Sequence, residues 1–254
     1  MDINNFVIDR VVRAVGFSQA DDSVLFAINQ VTNPSLNVTS ETAEAVDALG
    51  TPIAVFNRAK NAEFSAENAL FDLNLMATQA GTEKEVASAD NTILTPKFDV
   101  IDVVSGTSTY SLAQTPAETP ATIYALNGDG TLGTAYTLAK GDFAITAKNL
   151  TVNADIDGVD QLMVIYEYNA SNAVAVTNSA VNFPKACKLV LEVLGCDVCD
   201  QTTLIYAYLV LPNFKISPDF DWSIATDGSH PFSGQAMQDY CDKEKKLYQL
   251  IIPQ

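Results

Sequence analysis

The stretch FPKACKLVLEVLGCDVCDQTTLIYAYLVL, Phe183 to Leu211, constrains the fold most. Lys188 to Leu194 and Thr203 to Leu211 are short runs of Val, Leu, Ile and Tyr, bounded by Gly195 and Pro212. That length and that bounding predict two buried strands joined by a cysteine-bearing turn. A lone hairpin is only marginally stable in water, so these strands require more sheet around them.

The flanking chain supplies it. Phe6 to Gly16 and Ser23 to Val31 are rich in β-branched and aromatic residues and are separated by a polar turn at Asp21 and Asp22, which predicts a strand pair. Ser35 to Ser40 alternates Leu36 and Val38 with polar neighbours, and a polar loop, Thr39 to Thr51, leads through Gly50 and Pro52 to a short strand, Ile53 to Phe56. Further strands are expected at Phe98 to Val104, Thr109 to Leu112, Thr122 to Leu126, Thr131 to Tyr136, Phe143 to Thr146, Leu162 to Tyr168, Asp221 to Ile224 and Lys246 to Ile252. Asn127-Gly128-Asp129-Gly130 is a hairpin signal, because Asn and Gly tolerate positive φ. Trp222, the only tryptophan, is expected to anchor its local core.

One segment reads as a helix. In Ser65 to Ala80, Ser65 suits the N-cap, Glu67 the first turn and Gly81 the left-handed C-cap. Ala69, Leu70, Leu73, Met76, Ala77 and Ala80 fall on one face, so burial of the Leu70, Leu73 and Met76 side is predicted. The fold class is therefore mainly β: a β-sandwich or barrel with one flanking α-helix.

Of the 254 residues 48% are hydrophobic and 18% charged, which excludes intrinsic disorder, and no apolar run approaches the roughly 18 residues of a membrane span. The start, MDINNFVIDR, lacks a basic region followed by an apolar core, so folding in the cytosol is expected. The net charge of −17 repels nucleic-acid phosphate and argues against sequence-reading DNA binding.

Three constellations invite chemistry. Cys196-Asp197-Val198-Cys199, with Cys187, Cys241 and His230 elsewhere, supplies zinc-type ligands, but a second paired motif is missing and buried or turn thiols are the expectation. Asn153 to Gly158 matches the first half of an EF-hand calcium loop, yet its twelfth position is Val164 where a Glu is needed, so a turn is expected. His230, the only histidine, lies near Ser229 and Asp227, but adjacency in sequence is not the geometry a triad needs. No catalytic, metal-binding or cofactor-binding residue is assigned, and no cofactor is expected.

The closing segment, LVLPNFKISPDFDWSIATDGSHPFSGQAMQDYCDKEKKLYQLIIP, resembles the end of bacteriophage major tail tube proteins. It has a strand running into an Asp-containing, Ser/Thr-rich stretch at Ser217 to Asp227, a polar connection, and a last apolar strand at Leu247 to Ile252. The order of strands followed by one helix is also similar, and the same fold is similar to type VI secretion tube proteins. The resemblance implies a single tail-tube-like β domain over residues 1–254, with 106–159 as an inserted β segment within it. It further implies hexameric rings stacked into a tube, with β-hairpins of each subunit closing an inner barrel around a lumen that conducts DNA without specific binding. The partners it implies are copies of the same chain and other tail proteins (tape measure, terminator, baseplate or tip), with no membrane, in a virion tail assembled in host cytoplasm. The termini, Met1 to Asn5 and the residues after Ile252, and the loop Thr39 to Thr51 are the segments expected to reach neighbouring rings. The alternatives are another virion component, such as a capsid decoration or tail-terminator protein, and a ligand-binding β-sandwich or hydrolase.

Overall fold

A computed structural model describes residues 5–240 and 243–253. The chain is mainly β with a single α-helix. Its elements begin with strands β1 (Phe6–Ser18), β2 (Val24–Ile28), β3 (Val31–Val46) and β4 (Pro52–Asn68), followed by helix α1 (Leu73–Ala80). Then come β5 (Glu85–Val86), β6 (Ile93–Asp102), β7 (Thr109–Ser111), β8 (Thr122–Leu126) and β9 (Leu132–Thr137). After a single 3-10 turn follow β10 (Phe143–Thr146), β11 (Asn149–Val152), β12 (Gln161–Ala170) and β13 (Val174–Ala175). The chain closes with β14 (Ala186–Asp197), β15 (Asp200–Ile216), β16 (His230–Ala236) and β17 (Gln249–Ile251). No helix among the described residues is long and apolar enough to cross a membrane.

The chain divides into two compact units, 1–84 with 176–254, and 85–175. In the first, one sheet runs β2-β1-β14-β15-β16-β4-β3, with β17 added on β15. The hairpin β14–β15 is its centre: Leu189, Leu191, Ala207, Leu211 and Phe214 are all buried, and β1 pairs with β14 from Phe6↔Asp197 to Ser18↔Cys187. The sheet curls strongly. Phe26 on β2 and Phe232 on β16 lie four strands apart, which in a flat sheet is about 19 Å at ~4.8 Å per strand. Their ring centroids are 6.4 Å apart, and Phe64 stands 5.9 Å from Phe232 and 6.2 Å from Phe214. Curling thus closes an aromatic core between the two halves of one sheet.

The helix begins later than its cap signals suggest. Ser65 to Asn68 is the end of β4, because Ala62, Phe64, Ala66 and Asn68 alternate inward at the period of a strand. The true N-cap is Asp72, whose Oδ1 accepts the Leu75 N–H at 2.7 Å. The end is as expected: Gly81 at φ 67° donates its N–H to Thr78, and Phe183 backbone lies where a Cβ would stand. The shorter helix buries Ala77 and Ala80 of the expected face but leaves Met76 only half-buried. Leu75, Ala77, Gln79 and Ala80 are inside, whereas Leu70 and Leu73 are exposed.

Three further expectations give way. Thr39 to Val46 is not loop but the outer part of β3, paired with β4 across register shifts between Ser40 and Thr42 and between Ala45 and Val46, and the turn proper is Asp47 to Thr51. The short strand expected at Ile53 to Phe56 is one part of the 17-residue β4. Asp221 to Ile224 is not a strand; it lies in the irregular connection between β15 and β16, where Trp222 packs on Phe71 and Phe220, each at 4.9 Å.

The second unit has a four-stranded sheet, β6-β12-β8-β9, a three-stranded sheet, β10-β11-β7, and the short pair β13-β5. Residues 106–159 lie within it. Ile123, Phe143, Leu150, Leu162 and Val164 fill its core. A buried polar knot crosses it: the Tyr166 hydroxyl donates to Asp99 Oδ2 at 2.8 Å and accepts the Gln114 N–H at 2.9 Å, while the Ala113 N–H donates to the same carboxylate oxygen. Burial, then that carboxylate, pushes the Tyr166 phenol up to about 12. The Asn127 turn forms as expected, with Gly130 at φ 83° and the Asn127 N–H donating to the Thr131 carbonyl.

Burial now places the stabilising face of α1 on Leu75, fully enclosed, and not on Leu73, which is 38% exposed. Leu75→Ala should cost about 2 to 5 kcal/mol in denaturant unfolding, and Leu73→Ala well under that. Equal losses for the two variants would contradict the assignment.

Candidate assembly interface

The hairpin β3–β4 outgrows the sheet that supports it. Strand β16 covers β4 only from Ala62 to Asn68, and among the described residues β3 has no partner but β4. From the pair Thr39↔Asn61 outward to Val46↔Pro52 the two strands stand as a two-stranded arm. Almost every residue of that arm is exposed, including apolar Val46, Ile53, Val55 and Phe56, and Leu49 at the turn is 91% exposed. Asp47 builds the turn, accepting the N–H groups of Leu49 and Thr51 at 2.8 Å. The sequence favours strand here through its Val, Ile, Phe and Thr, but nothing within the unit buries them.

A second set of open edges flanks the turn end of the central hairpin, the end toward which the arm also projects. Strand β2 pairs with β1 only over Ala14 to Phe17, so the outer edge of Phe6 to Arg13 has no partner among the described residues. Strand β15 is covered by β17 at Tyr208 to Val210 and by β16 at Phe214 to Ile216, which leaves Asp200 to Ala207 paired with β14 alone. This end also exposes apolar side chains, Val7, Ile8, Leu204 and Tyr206. Open edges with apolar side chains are ready templates for another chain. What such an arrangement does chemically is bind backbone to backbone.

The residues singled out for chemistry do not converge. Cys196 and Cys199 flank the β14–β15 turn, where the Cys199 N–H donates to Asp197 Oδ1 at 2.9 Å. Cys187 lies nine positions back along β14, about 30 Å at the rise of a strand, and burial pushes its thiol up to about 12. Cys241 falls outside the described residues. Among the described residues no three His, Cys, Asp or Glu side chains gather to hold a metal ion. Asn153 to Gly158 forms a turn, with the Asp157 N–H on Asp155 Oδ1 and Gly158 at φ 77°, and Val164 is sealed in the core. Ser229 turns away from His230 and donates to Glu67 Oε2 at 2.8 Å, and Asp227 is exposed.

His230 is instead a structural pin. It is fully buried; its Nε2–H donates to Gln79 Oε1 at 2.7 Å, and its Nδ1 accepts the Asp72 N–H at 3.4 Å. Gln79 passes the link on, its amide donating to the Pro231 carbonyl, and Phe71 stacks on the imidazole at 4.8 Å. The ring thereby ties both ends of α1 to β16. Burial holds the imidazole below its ordinary pKa, against a smaller opposing pull from the Asp72 carboxylate. The unfolded chain takes up a proton near pH ~6.5 that the folded chain resists, so this contribution to stability is whole above that pH and is lost as pH falls below it. Melting temperature should therefore drop more steeply between pH ~7 and ~5 in the natural protein than in His230→Gln. Parallel curves would refute the pin.

Residues 6–251, the whole body of both units, match the model of the YomU/Tube protein family. No curated protein matches the chain. The match spans the strands that carry the open edges as well as the 85–175 unit, and agrees with the tail-tube likeness of the closing segment. The chain belongs to the YomU/Tube protein family.

Proposed function

We propose that this protein is the self-assembling subunit of a phage tail tube, built of hexameric rings that stack into a conduit for DNA. The observation that carries the reading is the bare β3–β4 arm. A two-stranded ribbon with apolar side chains on it is marginal alone and gains its stability when another subunit covers it. Family membership supports a structural tube role, and the open edges of β1 and β15 supply the second surface that a ring needs. Pairing such edges around a closed ring removes them all, which is the physical gain of a barrel shared between subunits.

The charge fits the same role. Duplex DNA carries about one negative charge per ~1.7 Å of axis, and a basic wall would hold it through counterion release. With 31 acidic against 14 basic residues, a tube of these subunits lets DNA pass without adhering. The place of assembly is the host cytoplasm, the finished location the virion tail, and the partners at the tube ends are the other tail proteins.

The test shortens the arm. Replacing 41–59 by an Asn-Gly turn keeps the register pair Ser40↔Lys60 and the sheet beneath it. Negative-stain microscopy should show rings and tubes for the natural protein, and only folded, β-rich, unassembled subunits for the variant. Long tubes from the shortened protein, or none from the natural one, would refute the reading.

A further inference from the structure

The few cations of this acidic chain are not scattered evenly. A cleft of about 590 Å³ lies beside the open edge of β4, and Arg58, Lys60 and Lys245 all line it. The rest of the lining includes Asn61, Gln235 and Met237, and among the described residues no carboxylate takes part in it. Among the described residues neither Arg58 nor Lys60 has an ion-pair partner, and Lys245 Nζ sits 5.2 Å from the Tyr240 ring. From Pro52 to Ala62, β4 carries Arg58 and Lys60 and no acid.

The other strand of the arm has the opposite character. From Val31 to Val46, β3 carries Glu41 and Glu44 and no Lys or Arg, and among the described residues nothing pairs with its outer edge. Both glutamates are exposed and stand on the bare part of the arm, as do Arg58 and Lys60. Each copy thus presents one acidic and one basic open edge.

We propose that the basic edge of β4, residues 52–61, receives the acidic edge of β3 from a second copy of this chain. Glu41 and Glu44 then meet Arg58 and Lys60, with Lys245 closing the cleft behind them. Backbone hydrogen bonds supply the strand addition, and the charges select which edges meet. Two β3 edges would set glutamate against glutamate, and two β4 edges would set cation against cation, so both self-pairings are disfavoured. The permitted contact joins unlike surfaces, which propagates head to tail and either closes a ring or extends a stack. This inference rests on the tube-subunit reading for the fact of assembly, and adds which edges make it.

Two charge-reversed variants test it. Arg58→Glu/Lys60→Glu makes both edges acidic, and Glu41→Lys/Glu44→Lys makes both basic. Each alone should lower the sedimentable, assembled fraction by about tenfold or more at low salt, since like charges then face each other. An equimolar mixture of the two should assemble again, because the acidic β3 of one finds the basic β4 of the other. Recovery in the mixture excludes misfolding as the cause of the single losses. Assembly of either variant alone at the natural level would overturn the proposal. So would a mixture that fails to assemble while both variants keep the natural circular dichroism spectrum. If the natural protein itself never assembles, the tube-subunit reading falls first, and this inference with it.

Discussion

Unpaired strand edges are the constraint on which this structure turns. Every backbone N–H and C=O taken from water needs a partner, and a sheet satisfies them everywhere except at its edges. The first unit deals with its core by curling one sheet until Phe26 reaches Phe232. It does not deal with its edges in the same way. Strands β1, β3, β4 and β15 all run on beyond the neighbours that cover them. A chain selected to remain single would shorten or blunt such strands; this one lengthens them and decorates them with Val, Ile and Phe.

The interior is correspondingly fixed, so that the projecting strands have a firm base. Helix α1 is held by the Asp72 cap, the Gly81 turn and the His230–Gln79 link, which is why the one histidine of the chain serves packing. The second unit keeps its own core and its own Tyr166–Asp99 knot. The polar chemistry of both units is spent on holding elements in place, and the surface chemistry is left to backbone edges and charge.

The sequence makes some of this legible because burial leaves a pattern. The run that became β15 is apolar on both faces from Leu204 to Leu211, the run that became β14 is apolar on its buried face and carries Lys188 and Glu192 on the other, and the Asn127 to Gly130 turn follows from the residues that accept positive φ. The helix start was misleading for a local reason: Ser65 and Glu67 suit a cap, but the inward alternation of Ala62, Phe64 and Ala66 continues a strand through them. Strand β16 was hidden by Pro231, Ser233 and Gly234, which read as loop; Gly234 is there because the Lys215 carbonyl and the Phe214 ring leave no room for a Cβ. The arm was the hardest to see. Its outer residues are exposed within one subunit, so they carry no inward and outward alternation, and only the hydrogen-bonded register displays them as strand. Strands that no part of their own chain covers leave no other mark in the sequence.

Hydrogen exchange measured by mass spectrometry on the unassembled and the assembled protein tests the central claim most directly. Amides with no partner on an open edge exchange freely until another strand covers them. Assembly should slow exchange in peptides covering 31–46 of β3 and 52–61 of β4 and in 6–13 and 200–207 at the turn end of the central hairpin, while 186–194, already paired on both sides, changes little. Unchanged exchange in the edge peptides of a fully assembled sample would contradict the account.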